Sequence, residues 1–131
     1  MRTLLPAVLL LAGFAQPAMA TGTITCTDPA GDATMTLSVG TLSVLSILRA
    51  EITIGEESWS TDPVIAPGTL IVAGQGFETE DGLWASFTDE AVNDIVGELR
   101  LAKASEGRDF VMAGTLAMPG VGAYAMVCEG P

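Results

Sequence analysis

The chain contains no histidine. That absence removes Ser-His-Asp and Cys-His nucleophile activation, histidine general-base chemistry and the ordinary zinc and copper sites, all of which rest on an imidazole. Cysteine is nearly absent as well. Only Cys26 and Cys128 occur, far from the local Cys-x-x-Cys spacing of a redox-active pair. Basic residues are scarce, five against sixteen acidic ones, and the net charge is −11. A field of that sign argues against nucleic acid or an anionic membrane surface as a partner and favours a basic protein. Since the acids form no contiguous block, the plainer alternative is that they keep the chain soluble and monomeric.

Long apolar runs are also missing, apart from one at the N-terminus. Arg2 supplies a positive start, Leu4 to Ala15 form the run, and Ala18-Met19-Ala20 is a small-x-small cleavage site, together the pattern of a secretory signal peptide cut after Ala20. At about 12 residues the run falls well short of the roughly 20 that span a bilayer. Cys26 follows Thr23-Ile24-Thr25 and lies outside the run, which does not suit a lipid-acceptor cysteine. The expectation is a cleaved signal over residues 1–20, then a single β domain over residues 21–131, with no membrane insertion after cleavage. Loss of Arg2 takes the remaining charge to −12. The short signal and the lack of any Asn-x-Ser/Thr acceptor suit a bacterial periplasm or secretion.

An exported chain matures where disulfides persist, so a bridge between Cys26 and Cys128 is the economical reading. Two buried free thiols and a disulfide-linked dimer remain as alternatives. A bridge enclosing nearly the whole domain would restrict the unfolded ensemble by about 4 to 5 kcal/mol in the chain-entropy account. It would also require the first and last strands to be neighbours, because bridged Cα atoms lie within about 7 Å.

Alternation of apolar and polar residues, the period of a half-buried strand, recurs throughout. From Ala33 to Val39 every odd position is apolar and every even one is a hydroxyl. Leu48, Ala50, Ile52 and Ile54 repeat the pattern, as do Leu83, Ala85 and Phe87 against Trp84, Ser86 and Thr88. Phe110, Met112, Gly114, Leu116 and Met118 share another face, and Tyr124, Met126 and Cys128 a last one. The predicted core holds Met35, Leu37, Ile52, Ile54, Phe87, Leu99, Leu116 and Met126. Turn chemistry separates the runs at Asp28-Pro29-Ala30-Gly31, Asp81-Gly82, Glu106-Gly107 and Pro119-Gly120. About eight strands result, over 22–27, 33–39, 45–54, 57–61, 69–78, 83–88, 95–104 and 109–118, with 121–128 as a ninth. The fold class is all-β, a single antiparallel barrel or sandwich with adjacent, disulfide-linked terminal strands. One helical turn is predicted from Thr88 to Asp94, with Thr88 as its cap.

No catalytic set, metal site or cofactor site emerges. Glu78, Glu80 and Asp81 cluster near one hairpin, but sixteen acids on a small surface bring carboxylates together by accident. Asp28 and Asp32, and Asp89, Glu90 and Asp94, do not match the spacing of a calcium loop and read as solvated turn residues. Gly74-Gln75-Gly76 lies inside a strand pattern with no helix after it, which suits a bulge rather than a phosphate loop. Trp84 opposes the Leu83/Ala85/Phe87 face. If that face is core, the indole points outward and, with Glu78, Glu80 and Asp81, forms a candidate partner-binding site; the alternatives are that it is itself core in the inverted register, or that it lies under a loop. Trp59 is placed near a strand end.

The early Thr25-Cys26-Thr27-Asp28 and the late Val127-Cys128-Glu129, in an acidic exported domain of this size, resemble the bacterial C-type lysozyme inhibitors. The resemblance implies an eight-stranded antiparallel barrel that blocks a lysozyme cleft. The chain has no Ser-Gly-x-x-Tyr segment like the one those inhibitors insert, and its only tyrosine, Tyr124, falls in the last strand. What carries over is therefore the architecture, with no inhibitory residue. Taken together, the sequence points to a non-enzymatic, monomeric binding or envelope-accessory domain, with an inhibitor of lysozyme or another basic hydrolase as the alternative.

Overall fold

The computed structural model describes residues 21–40 and 44–131, so the signal peptide expected over residues 1–20 lies outside the described residues. Among those described, the alternating runs form ten strands and no helix: β1 (Thr21–Thr27), β2 (Ala33–Gly40), β3 (Ser46–Ile54), β4 (Glu57–Ser60), β5 (Thr69–Leu70), β6 (Val72–Glu78), β7 (Gly82–Thr88), β8 (Ile95–Glu106), β9 (Asp109–Met118) and β10 (Gly122–Glu129). They build one sheet in the order β5-β4-β3-β2-β1-β10-β9-β8-β7-β6. Every neighbouring pair is antiparallel except β4 and β5.

The two ends of that order, β5 and β6, follow one another in the chain with only Ile71 between them. A strand that must serve both ends of a sheet can do so only if the sheet curls. Ile71 is buried and its N–H donates to the Ser60 carbonyl at 3.0 Å, while Leu45 and Ile47 reach across to Gly76 on β6. The result is a nearly closed barrel, which leaves little of the exposed strand edge that invites aggregation.

Inside it, the predicted alternation is followed closely. Met35, Leu37, Ile52, Phe87, Leu99, Leu116 and Met126 are buried, and Ile54 packs against them half-buried. Trp59 lies opposite Ile52 across the β3–β4 ladder and also packs against the core. Cys26 and Cys128 are both buried and face one another directly in the β1–β10 register. They form one intrachain disulfide with a Cα–Cα distance of 4.0 Å, so the terminal strands are neighbours as expected.

Local chemistry explains the joints. The Asp28 carbonyl and carboxylate accept from the N–H groups of Gly31 and Ala30, closing the first turn. Pro119 and Gly120 occupy the centre of the β9–β10 turn, where a φ of 77° at the second position favours glycine. The predicted bulge at Gly74-Gln75-Gly76 is present as a register shift between Ala73 and Gly76. Ser86 Oγ fills it, accepting from the Gln75 N–H at 3.0 Å and donating to the Gln75 carbonyl at 3.2 Å. A Cβ at Gly74 would sit 2.8 Å from that hydroxyl, so glycine makes the approach possible.

Several expectations are corrected. The run 69–78 is two strands, because its halves pair with opposite ends of the sheet. The helical turn over Thr88 to Asp94 is a six-residue loop closed by a bond from Asp89 N–H to the Asp94 carbonyl. There Asp89, not Thr88, does the capping, by accepting from Asn93 N–H at 2.8 Å. Leu48 is 55% exposed rather than inward, since a bulge opposite Ser38 and Val39 leaves it unpaired and brings Ile47 against the core. Phe110 is also exposed, close to the tip of the long β8–β9 hairpin, where Glu106 pairs with Asp109.

Candidate functional site

Burial of Leu83, Ala85 and Phe87 settles the register of β7: Trp84 stands on the outer face of the barrel. The ladders then place Phe77 of β6 and Arg100 of β8 directly beside it, a row of three outward side chains across three strands. The rings of Phe77 and Trp84 lie 5.4 Å apart, tilted by 43°, within the favourable range for aromatic pairs. Phe77 remains 55% exposed. Beside the row runs a groove of about 480 Å³, lined by Phe77, Thr79, Asp81, Gly82, Leu83, Trp84, Arg100 and Leu101. That volume is within the range of small-ligand sites.

The electrostatics of the row are partly internal. Arg100 Nε donates to the Glu98 carboxylate two residues earlier on the same strand face. This hydrogen bond holds the Glu98 carboxyl below its ordinary range, and the nearby indole N–H of Trp84 lowers it further against a small opposing effect of burial. The indole Nε1 is itself shielded from solvent, and its N–H meets no acceptor in full hydrogen-bonding geometry. Arg100 is thus neutralised locally, while its side chain stays 68% exposed.

The three acids proposed as a rim do not stay together. Glu78 pairs with the inward-facing Leu83, on the face opposite Trp84, and forms an ion pair with Lys103 of β8. Lys103 also donates from Nζ to the Thr79 carbonyl at 3.3 Å and from its N–H to the Asp81 carbonyl at 2.9 Å. Glu78 and Lys103 therefore close one end of the barrel, and Glu78 leaves the candidate site. Glu80 and Asp81 occupy the exposed tip of the β6–β7 hairpin and form no ion pair among the described residues. The turn itself spans Thr79 to Gly82. Glu80 and Asp81 are its centre, rather than the expected Asp81 and Gly82, and Thr79 Oγ1 accepts from the Asp81 N–H at 3.2 Å.

Phe77, Glu98 and Arg100 are the members of the site that sequence reasoning missed. The signal was the hairpin register. Closing the turn at Asp81-Gly82 places Thr79 opposite Trp84, whereas the observed pairing of Glu78 with Leu83 places Phe77 there. Elsewhere, Asp28 and Asp89 bond to their own turns, and among the described residues no group of three carboxylates or cysteines converges to hold a metal ion. No protein-family model matches the chain, and neither a curated protein nor a solved structure matches it.

Proposed function

We propose that the chain is a non-enzymatic binding domain of the periplasm or extracellular space, which engages a basic protein through the groove beside Trp84. The observation that carries this reading is the outward Phe77–Trp84 pair. The pair stands on the outer wall and outside the core cluster, and aromatic anchors are the side chains on which binding energy concentrates. The overall charge supports a basic partner, and the disulfide supports an oxidising compartment. Among the described residues no helix is long and apolar enough to cross a membrane.

A barrel with cystine-linked terminal strands and an acidic surface also favours a second reading, inhibition of lysozyme or another basic hydrolase. One experiment addresses both. The immobilised protein is exposed to periplasmic extract with and without added lysozyme, at low and high salt, and lysozyme activity is followed in parallel. Salt-sensitive capture that Trp84→Ala abolishes, with folding intact, is the expected outcome. Capture that survives Trp84→Ala would move the site elsewhere, and loss of lysozyme activity would select the second reading.

A further inference from the structure

We propose that the groove receives one arginine side chain of the partner, its stem lying along Phe77 and Trp84 and its guanidinium meeting Asp81. The inference rests on the binding-domain reading above and names the chemistry of its site. Three features lead to it. The exposed ring of Phe77, backed by Trp84, offers an apolar shelf on which a flat cation gains from both contact and the ring quadrupole. The groove's own cation, Arg100, has its Nε committed to Glu98, so the charge left over comes from Asp81 in the lining and Glu80 beside it on the hairpin tip. Finally, Lys103 fixes the tip from below through the carbonyls of Thr79 and Asp81, so the Asp81 carboxylate is carried on a braced turn at the groove's end.

Arginine suits this arrangement better than lysine. Its planar guanidinium can stack on a ring and still present a fork of N–H donors to a carboxylate, and it is more weakly hydrated than an ammonium. An anionic ligand would meet Asp81 and find Arg100 already paired. A wholly apolar ligand would bury the two acids without a counter-charge.

The test uses three peptides, acetyl-Gly-Arg-Gly-amide and its lysine and citrulline counterparts, titrated into the folded domain while the indole N–H resonances of Trp84 and Trp59 are followed by NMR. Citrulline keeps the shape of arginine and removes its charge. The arginine peptide is expected to shift the Trp84 signal saturably, with Kd in about the millimolar range for a single side chain, and to leave Trp59 unmoved. The citrulline peptide should bind at least about tenfold more weakly, with lysine between the two. Asp81→Asn should erase most of the advantage of arginine over citrulline, and Glu80→Gln a smaller part; both positions are exposed, so folding is retained. Equal affinity for arginine and citrulline, or no saturable shift up to about fifty times a millimolar Kd, overturns the proposal. Capture of a basic protein that needs Trp84, with silent peptides, would overturn the arginine assignment alone. Failure of both capture and peptide binding would remove the binding-domain reading with it.

Discussion

Two walls of the barrel enclose the same core and differ in what they show to solvent. Over β9, β10, β1 and β2 the outward positions are occupied by Val111, Ala113, Thr115 and Ala117, by Ala123, Ala125 and Val127, by Thr21, Thr23, Thr25 and Thr27, and by Thr34, Thr36 and Ser38. Charge on this face is confined to the strand ends, at Asp109 of β9 and Glu129 of β10. Over β6, β7 and β8 the outward positions include Phe77, Trp84, Glu98 and Arg100, with Glu80 and Asp81 on the hairpin between. The plain wall shows how little this fold asks of its outer surface: small and β-branched residues that suit a pleated strand and alternate with the core. Against that background, the aromatic pair and the lined groove set the other wall apart, and this contrast is the strongest argument for placing the function there.

The first way to press the comparison is to attack what the walls share. Leu116 on the plain side and Leu99 on the other are both fully buried and directly paired. Leu116→Asp and Leu99→Asp should each prevent folding, because either buries a charge without a partner, at a cost of more than about 4 kcal/mol. Loss of the β-type circular-dichroism spectrum in both variants is the expected result. A stable Leu99→Asp domain would mean that the groove wall is not part of the common core.

The walls separate at the next level, in the use of outward hydroxyls. Ser86 is buried and bonds both the N–H and the carbonyl of Gln75, whereas Thr25 is exposed. Ser86→Ala should cost about 1 to 3 kcal/mol by leaving those backbone groups unpaired. Thr25→Ala should stay within about 0.5 kcal/mol. Urea unfolding midpoints of the two variants give the comparison directly, and equal midpoints would show that Ser86 does not hold the β6 bulge.

The plain wall was almost fully legible in the sequence, because its strands alternate strictly and their turns carry Asp-Pro and Pro-Gly signals. The pairing of Cys26 with Cys128 followed from compartment and cysteine count, and the bulge at Gly74-Gln75-Gly76 from glycines inside a strand. The other wall was legible only in parity. The outward direction of Trp84 could be read from Leu83, Ala85 and Phe87, but its neighbours depend on register. Placing the turn one residue late moves every cross-strand partner by two positions while keeping each residue on its own face. That error hid Phe77. Glu78 was misassigned for a related reason: proximity in sequence to Trp84 says nothing of face, and its parity with Leu83 sends it to the barrel mouth. Leu48 failed because a bulge breaks the period of two, and nothing in the apolar pattern of residues 45–54 announces where the extra residue falls.

The smallest expected effect is also the most specific to the busy wall. Glu98 is held below its ordinary value of about 4.5, first by the hydrogen bond from Arg100 and then by the indole N–H of Trp84. A carboxyl whose pKa is lower in the folded state contributes stability when it is ionised. The contribution is complete above its unfolded value and is lost as pH falls through the folded one. Glu98→Gln should therefore lower the urea midpoint slightly near pH 6, and the gap to the parent should close as the pH is taken down toward 3. The effect is small because the Arg100 side chain is 68% exposed and solvent screens the pair, and added salt should narrow the gap further. Trp84→Phe should close part of the gap, since it removes the indole N–H and leaves Arg100 in place. Thr25→Ala on the plain wall should show no such pH dependence. A gap between Glu98→Gln and the parent that stays constant from pH 6 to pH 3 would mean that Glu98 acts by packing alone, and the electrostatic link between Trp84 and the Arg100 pair would fall.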